Sequence, residues 1–378
     1  MSVVVKTSGG GKYRKGKTVT SENLRRKSAA LTFLSGYTSF NDTHAGDSRY
    51  FAPMMYCEKL SNGEIISFAA YLSDNKIYIH KYRHTDMSTT LETSVEIGAS
   101  VMNTNYKIYI TSQKNSNYIC VSTSYSGCNA YVLNKSDLSI VDTVPHSVTS
   151  YVSMYDDKLY INRYGDANLS NAFQVYSIAN KNYEVTKKAS EIGGFLFANS
   201  APIVKDGYIY MTCEGTTSTA SSTALVCLNP DYTVRWKKTY EDLGSTSKLC
   251  RSIACVLSNG KFIVVGTNEL RLHDCADGSI ISSNANKTAL GSGSHTAIPS
   301  VVYDSERLMI LRQSGKNYGD YIDLIDTTSL EVISQLKLNY TSHFEGYAEG
   351  DLILGIADSS TNLKIGKAYP SDIYEILD

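Results

Sequence analysis

The residues of this chain able to carry out acid–base, nucleophilic or metal chemistry are spread along it without a recognisable spacing. The seven histidines are His44, His80, His84, His146, His273, His295 and His343. His80 and His84 stand four apart, the spacing of one helical face, but they fall in and beside a strand-like run, Lys76–Tyr82, where that helical argument does not apply. A zinc site needs three or four convergent N, S or O ligands, so isolated strand or loop histidines are expected and no metal site is assigned. His146, His295 and His343 sit at comparable points before apolar runs, and a shared axis would let them meet an ion or titrate together. Gly9–Gly10–Gly11–Lys12 has the residue types of a phosphate loop without its G-x-x-x-x-G-K-[ST] spacing, and reads as a flexible linker. No G-x-S-x-G nucleophile elbow occurs. The acids Asp166, Glu214, Asp320 and Glu345 are the candidates for a paired-carboxylate glycosidase, whose two acids must lie about 5–10 Å apart in a cleft.

The eight cysteines, Cys57, Cys120, Cys128, Cys213, Cys227, Cys250, Cys255 and Cys275, include no C-x-x-C pair. Several fall within apolar runs such as Tyr118–Val121 and Ala224–Leu228, so buried, unpaired thiols in a reducing cytosol are expected. The N-terminus shows no apolar signal segment, and no stretch approaches the roughly 18 apolar residues of a membrane span. The net charge of −1 gives no global attraction to nucleic acid or an anionic membrane. It conceals an asymmetry: residues 1–28 hold Lys6, Lys12, Arg14, Lys15, Lys17, Arg25, Arg26 and Lys27 against Glu22 alone. A basic arm on a mildly acidic body follows.

The elements that would position any site come from a repeat. Between Ser200 and Tyr240 the chain reads as four short strands: Ala201–Val204, then Tyr208–Met211 after the Asp206–Gly207 turn, Ala224–Leu228, and Thr233–Lys237 after Asn229–Pro230–Asp231. The second strand of this unit recurs after turn residues at Ile65, Tyr118, Lys158, Lys261, Arg307 and Asp351. With Tyr208 the seven anchors are spaced by 53, 40, 50, 53, 46 and 44 residues, the length of a four-stranded propeller blade. The abundant tyrosine, 29 residues, fits pleated, half-buried strands. The expectation is an all-β chain: a seven-bladed β-propeller of four-stranded antiparallel blades over residues 46–378, after a basic arm at residues 1–45. Ser21 as N-cap and the run Leu24–Leu34 suggest a short helix in that arm.

Ser200–Met211 (SAPIVKDGYIYM) and Ala224–Lys237 (ALVCLNPDYTVRWK) resemble the repeats of quinoprotein-type propellers, and Asp323–Leu336 (DLIDTTSLEVISQL) resembles the YVTN-type repeat. The resemblance covers residues 50–378 and implies architecture. It does not extend to quinone chemistry, because such enzymes cover their cofactor with tryptophan and vicinal cysteines, and this chain has the single Trp236 and no vicinal cysteines. No cofactor is expected. The opening SVVVK, the Gly/Lys stretch and the helix-like segment resemble attachment arms of tail-appendage proteins of phages and phage-like particles. That likeness implies a tail or baseplate appendage, assembled in the host cytoplasm and carried on the virion.

In a propeller, the links between blades and the loops from second to third strands share one face. This places Tyr125, His146, Arg163, Tyr164, Asp166, Arg251, His295, Tyr318, Asp320, His343 and Phe344 on a candidate binding face. Aromatic rings beside Arg, Asp and Asn suit a carbohydrate or protein surface. The expectation is a non-enzymatic binding or structural protein, docking through its arm to other particle proteins and displaying the propeller for host-surface recognition of glycan or protein. An intracellular scaffold propeller that binds protein and a carbohydrate-active propeller enzyme are the alternatives.

Overall fold

The structure, a computed structural model, describes residues 24–28, 38–41, 55–73, 76–85, 89–98, 108–123, 128–146, 150–163, 170–193, 197–198, 201–214, 223–239, 242, 252–265, 269–285, 300–302, 307–314, 317–337, 341–348, 351–357, 362–368 and 374–376. Two short strands come first, β1 (Leu24–Ser28) and β2 (Thr38–Asn41). The first sheet is β3 (Met55–Lys59), β4 (Ile65–Ser73), β5 (Lys76–His84) and β6 (Thr89–Gly98). The second is β7 (Ile108–Ser112), β8 (Tyr118–Thr123), β9 (Cys128–Asn134) and β10 (Ile140–His146). The third is β11 (Ser150–Tyr155), β12 (Lys158–Arg163), β13 (Phe173–Ser177) and β14 (Asn182–Lys187). In the fourth the inner strand is split into β15 (Phe197–Ala198) and β16 (Ile203–Lys205), both paired with β17 (Tyr208–Glu214), followed by β18 (Thr223–Leu228) and β19 (Val234–Lys238). The fifth is β20 (Ser252–Val256), β21 (Lys261–Val265), β22 (Glu269–Asp274) and β23 (Ile280–Ala285). The sixth holds β24 (Ser300–Val302), β25 (Arg307–Ser314), β26 (Asn317–Asp326) and β27 (Val332–Lys337). The seventh holds β28 (Thr341–Ala348), β29 (Asp351–Ala357) and β30 (Asn362–Ala368), and β31 (Tyr374–Ile376) ends the chain.

Each sheet is an antiparallel meander, and consecutive sheets touch through their early strands: β4 on β7, β7 on β11, β12 on β15, β16 on β20, β20 on β24, β26 on β28. The last step, β28 on β3, closes the ring. All seven second strands begin at the anchors read from the sequence. The chain is therefore a seven-bladed propeller.

The turns explain why the strands start where they do. Asp156 and Asp157 have φ of 51° and 49°, and Asp206 and Gly207 have 52° and 81°. Positive φ at both central residues is the two-residue hairpin turn whose twist matches the flanking strands. The hairpins joining third to fourth strands share a different device, one residue in the left-handed region: Leu138, Lys181, Tyr232, Gly278 and Leu330. Backbone bonds such as Leu138 N–H to Asn134 O (2.9 Å) and Leu330 N–H to Asp326 O (2.9 Å) hold it there. The four that carry side chains reach towards the preceding blade. Leu138 joins the core against the first sheet, Lys181 Nζ donates to Val141 O (3.3 Å), Tyr232 packs on the third sheet's core, and Leu330 joins the core against the fifth.

Strand alternation assigns each buried side chain to one of two seams. In β8, Ile119 and Val121 face the first sheet while Cys120 faces the third. In β17, Ile209, Met211 and Cys213 face the third sheet while Tyr210 faces the fifth. In the seam between the fourth and fifth blades, Trp236 stacks on Phe262 (5.8 Å), and Phe262 stacks in turn on His273 (4.9 Å). The Trp236 indole N–H donates to Cys275 O at 3.0 Å.

The basic leader departs from the expected arm. Instead of a helix, residues 24–28 form β1, parallel to β27 and antiparallel to β31, so Arg25, Arg26 and Lys27 belong to a strand extending the sixth sheet. Residues 38–41 form β2, the outermost strand of the seventh sheet, with Phe40 opposite Leu363. Helix propensity in this stretch is overridden by edges that only the distant C-terminal part of the chain supplies. Lys6, Lys12, Arg14, Lys15 and Lys17 lie outside the described residues.

Gly278 tests the seam directly. A Cβ there would lie 2.8 Å from the Trp236 ring, at a φ of 76°. Gly260 has a similar φ of 77° and open space. Gly278→Ala should therefore lose about 2–3 kcal/mol and Gly260→Ala about 1 kcal/mol, read by chemical denaturation. Equal losses would show that the indole approach does not matter.

Candidate binding face

The strand directions put every connection of more than five residues between consecutive strands from β3 to β30 on one face, at the ends of second and fourth strands. The opposite face carries only short turns, such as Asp156–Asp157 and Asp206–Gly207. Long connections on a rigid scaffold are where binding residues concentrate. Of the residues expected on this face, Tyr125, Tyr164, Asp166, Arg251 and His295 lie outside the described residues.

The remaining expected face residues are placed as follows. His146 is the last residue of β10, paired with Cys128. Tyr318 and Asp320 are strand residues near the start of β26, not loop residues. His343 and Phe344 lie within the inner strand β28. There Ser342 pairs with Ile356 and Phe344 with Gly355, so His343 is the extra residue of a bulge. Bulges re-aim side chains and are common beside binding sites. Of the carboxylates, Glu214 closes β17 and Glu345 lies in β28, while Asp166 is outside the described residues.

Arg163 differs most from expectation. It ends β12 at the candidate face, but only 6% of it is exposed. It follows Leu159 and Ile161 on the side of β12 that looks into the second blade, so alternation turns it into the seam. Burial lowers its pKa from the ordinary arginine value, and the Tyr183 hydroxyl beside it partly offsets that. Tyr183 in turn donates to Pro145 O at 3.0 Å, which binds the second and third blades below the face.

Sequence reasoning missed the polar groups of the first blade. A spacing of four is one face of a strand as well as of a helix, so His80, Tyr82 and His84 share a side of β5. All three are buried. His84 Nε2 meets Ser67 Oγ at 2.6 Å and its Nδ1 meets Thr89 Oγ1 at 3.0 Å, a chain across β4, β5 and β6. His80 Nδ1 meets the Tyr82 hydroxyl at 2.8 Å. A serine–histidine contact is also the start of a nucleophilic site, but Ser67 and His84 are both 0% exposed, so no substrate reaches them and the contact is a latch. Between the first and second blades Lys135 Nζ lies 2.5 Å from Glu58 Oε2 and donates to Gln113 O at 2.7 Å, with both charged side chains nearly fully buried. The Tyr56 hydroxyl donates to the same Glu58 oxygen at 3.0 Å. Burial pulls the Lys135 pKa down while Glu58 opposes it.

Among the described residues no three His, Cys, Asp or Glu side chains converge as a metal site would require, and no helix is long and apolar enough to cross a membrane. Six cysteines there are free thiols, five of them buried in the seams. Desolvation pushes Cys213, Cys227 and Cys255 up to about 12, which makes them poor nucleophiles.

Burial holds His80 and His273 neutral, with pKa lowered to about 4 from 6.5. A histidine whose pKa falls on folding binds more protons when unfolded. Its contribution is complete above about pH 6.5 and is lost as pH drops towards about 4. Stability should decline across that window by on the order of 1 kcal/mol per pH unit for each histidine, and His80→Gln should flatten the slope in denaturation measured from pH 7 to pH 4.5. For the ion pair, Glu58→Gln should cost about 3–5 kcal/mol, and Glu58→Leu combined with Lys135→Met should recover most of that.

No protein-family profile matches the chain, and no curated protein is significantly similar to it in sequence. Solved structures are similar in fold: 625 chains match. One of them, a WD40 propeller in a structure described as the crystal structure of the mitotic checkpoint complex, superimposes with a TM-score of 0.54 over 94% of this chain and 100% of that one, at 9% identity. That likeness shows the architecture this chain shares, an all-β propeller.

Proposed function

We propose that this chain is a non-enzymatic binding propeller that engages a protein partner through the face bearing its long connections. The observation that carries this reading is the asymmetry of the ring: one face is closed by tight turns, and the other gathers every long inter-strand connection from β3 to β30. Tyr125, Tyr164, Asp166, Arg251 and His295 belong to connecting segments in chain order and lie outside the described residues. The propeller fold is widely used for protein–protein contact, and the neighbour in the mitotic checkpoint complex belongs to a multi-protein assembly by its description.

The context we propose is a tail or baseplate appendage of a phage or phage-like particle, assembled in the host cytoplasm, with the displayed face meeting a host-surface glycan or protein. The resemblance of the leader to attachment arms and its concentration of cations support this reading. The fold narrows the docking element. Arg25, Arg26 and Lys27 sit in a strand of the sixth sheet, which leaves Lys6, Lys12, Arg14, Lys15 and Lys17 as the cations ahead of the ring.

Two measurements test this. A photo-crosslinking residue at Tyr164 should capture a partner in the native assembly, whereas one at Asn180, on the short-turn face, should not; capture from Asn180 alone would reverse the assignment. Deleting residues 1–23 should abolish docking and leave the melting temperature unchanged. Deleting residues 1–41 should lower it by several degrees, because β1 and β2 go with it. Particles that retain the shorter deletion would remove the arm from the proposal.

A further inference from the structure

The outermost strand of a sheet offers unpaired amides and carbonyls, and proteins guard such edges with charge, proline, short length or a covering strand. Six of the seven blades do so visibly. β6 carries Glu92 and Glu96, β10 carries Asp142 and Pro145, β14 carries Glu184 and Lys187, and β19 carries Arg235, Lys237 and Lys238. β27 is covered by β1, and β30 is covered by β2. The strands that then become outermost, β31 and β2, are only three and four residues long.

The fifth blade is the exception. β23 reads IISSNA over six residues, with no charge and no proline, and among the described residues no strand covers it. Ile280 and Ile281 at its start are 39% and 45% exposed, among the most exposed large apolar side chains of the described residues. A bulge at Ile281 recurs near the start of β10, β14, β19 and β27, so it does not set β23 apart from these. Beyond it, Ser282–Ala285 continues in regular register with β22, and exposed Ser283 stands mid-run.

We propose that β23 pairs antiparallel with β23 of a second copy of this chain, joining two fifth blades into one continuous eight-stranded sheet. Antiparallel self-pairing sets a strand against its own reversed sequence, so a strand whose charges share one sign can only bring like charges together. β19 would oppose cations to cations and β6 would oppose acids to acids, while β23 opposes only uncharged residues. The chain already extends its sheets in this manner, with β1 laid beside β27 and β2 beside β30. The area buried by a six-residue strand and two isoleucines is small, so the dimer is reversible and micromolar or weaker.

Sedimentation equilibrium of the full chain from about 1 to about 300 μM tests this against three variants. The wild type should show a monomer–dimer equilibrium. Ser283→Lys and Ile281→Lys should each weaken it at least tenfold with melting temperatures unchanged, and Ile140→Lys, at an exposed isoleucine of the guarded β10 edge, should leave it intact. Hydrogen exchange of the wild type should show β23 amides gaining protection with concentration, a readout independent of whether either variant folds. A wild type that stays monomeric throughout would overturn the proposal. So would a dimer equally strong in both β23 lysine variants, or concentration-dependent protection falling on other strands. These outcomes are separate from the crosslinking at Tyr164, which follows β12 in the third blade's sequence, over a hundred residues before β23.

Discussion

Face-to-face packing between consecutive sheets is the constraint on which the molecule rests. A four-stranded sheet buries little alone, and its two faces need two different neighbours. Alternation along β8, β17 and β21 supplies them by sending successive side chains to opposite seams, so one residue step exchanges one neighbour for the other. The cores at Ile119 and Val121, at Met211 and Val226, and at Phe262 and Trp236 are therefore separate hydrophobic units linked only through the sheets between them. Closing the ring leaves no sheet face without a partner, which open stacks of the same blades would have at both ends.

Polar groups follow the same geometry. Glu58 with Lys135, His84 with Ser67 and Thr89, and Arg163 with Tyr183 all sit in or beside seams, where leaving one partner unsatisfied costs more than the bond contributes. The His84 chain holds three strands of one blade, whereas Glu58 with Lys135, and Tyr183 with Pro145, join neighbouring blades and fix which meets which in a ring of similar sheets. This is a role of specificity more than of stability, since an apolar seam would hold as well. The chemically conspicuous residues of the described part are in this sense internal, and recognition falls to the connections above them.

Turn chemistry was the part of the fold most legible in the sequence. Asp206–Gly207 and Asn259–Gly260 demand positive φ, and such demands are local, so each marked a second strand without knowledge of the rest. The hairpin around Asn134–Ser139 was legible as a turn, but its reach into the preceding blade was not, because Leu138 looks like any exposed turn residue until its neighbour is in place. Leu24–Ser28 was misjudged for the same reason: β1 exists only through β27 and β31, some three hundred residues away. Arg163 and His84 show the limit from the other side. Arg163 reads as a loop residue and His84 as just past a strand, yet both end strands, and which seam each faces depends on register, which is set by partners.

The pairing of β2 with β30 has a consequence for biogenesis. Phe40 leaves the ribosome roughly three hundred residues ahead of Leu363. At synthesis rates of about 5–20 residues per second, β2 waits on the order of 15–60 s for its mate. Earlier blades can assemble during that interval, since each contacts mainly its sequence neighbours, but the final sector stays incomplete until β30 has been made. The loop entropy of that last closure grows only logarithmically with its length, so the burden is one of time more than of energy. During the wait the nascent chain carries an unsatisfied strand and an open seam, and protection from premature association in that window matters more to yield than the stability of the finished ring.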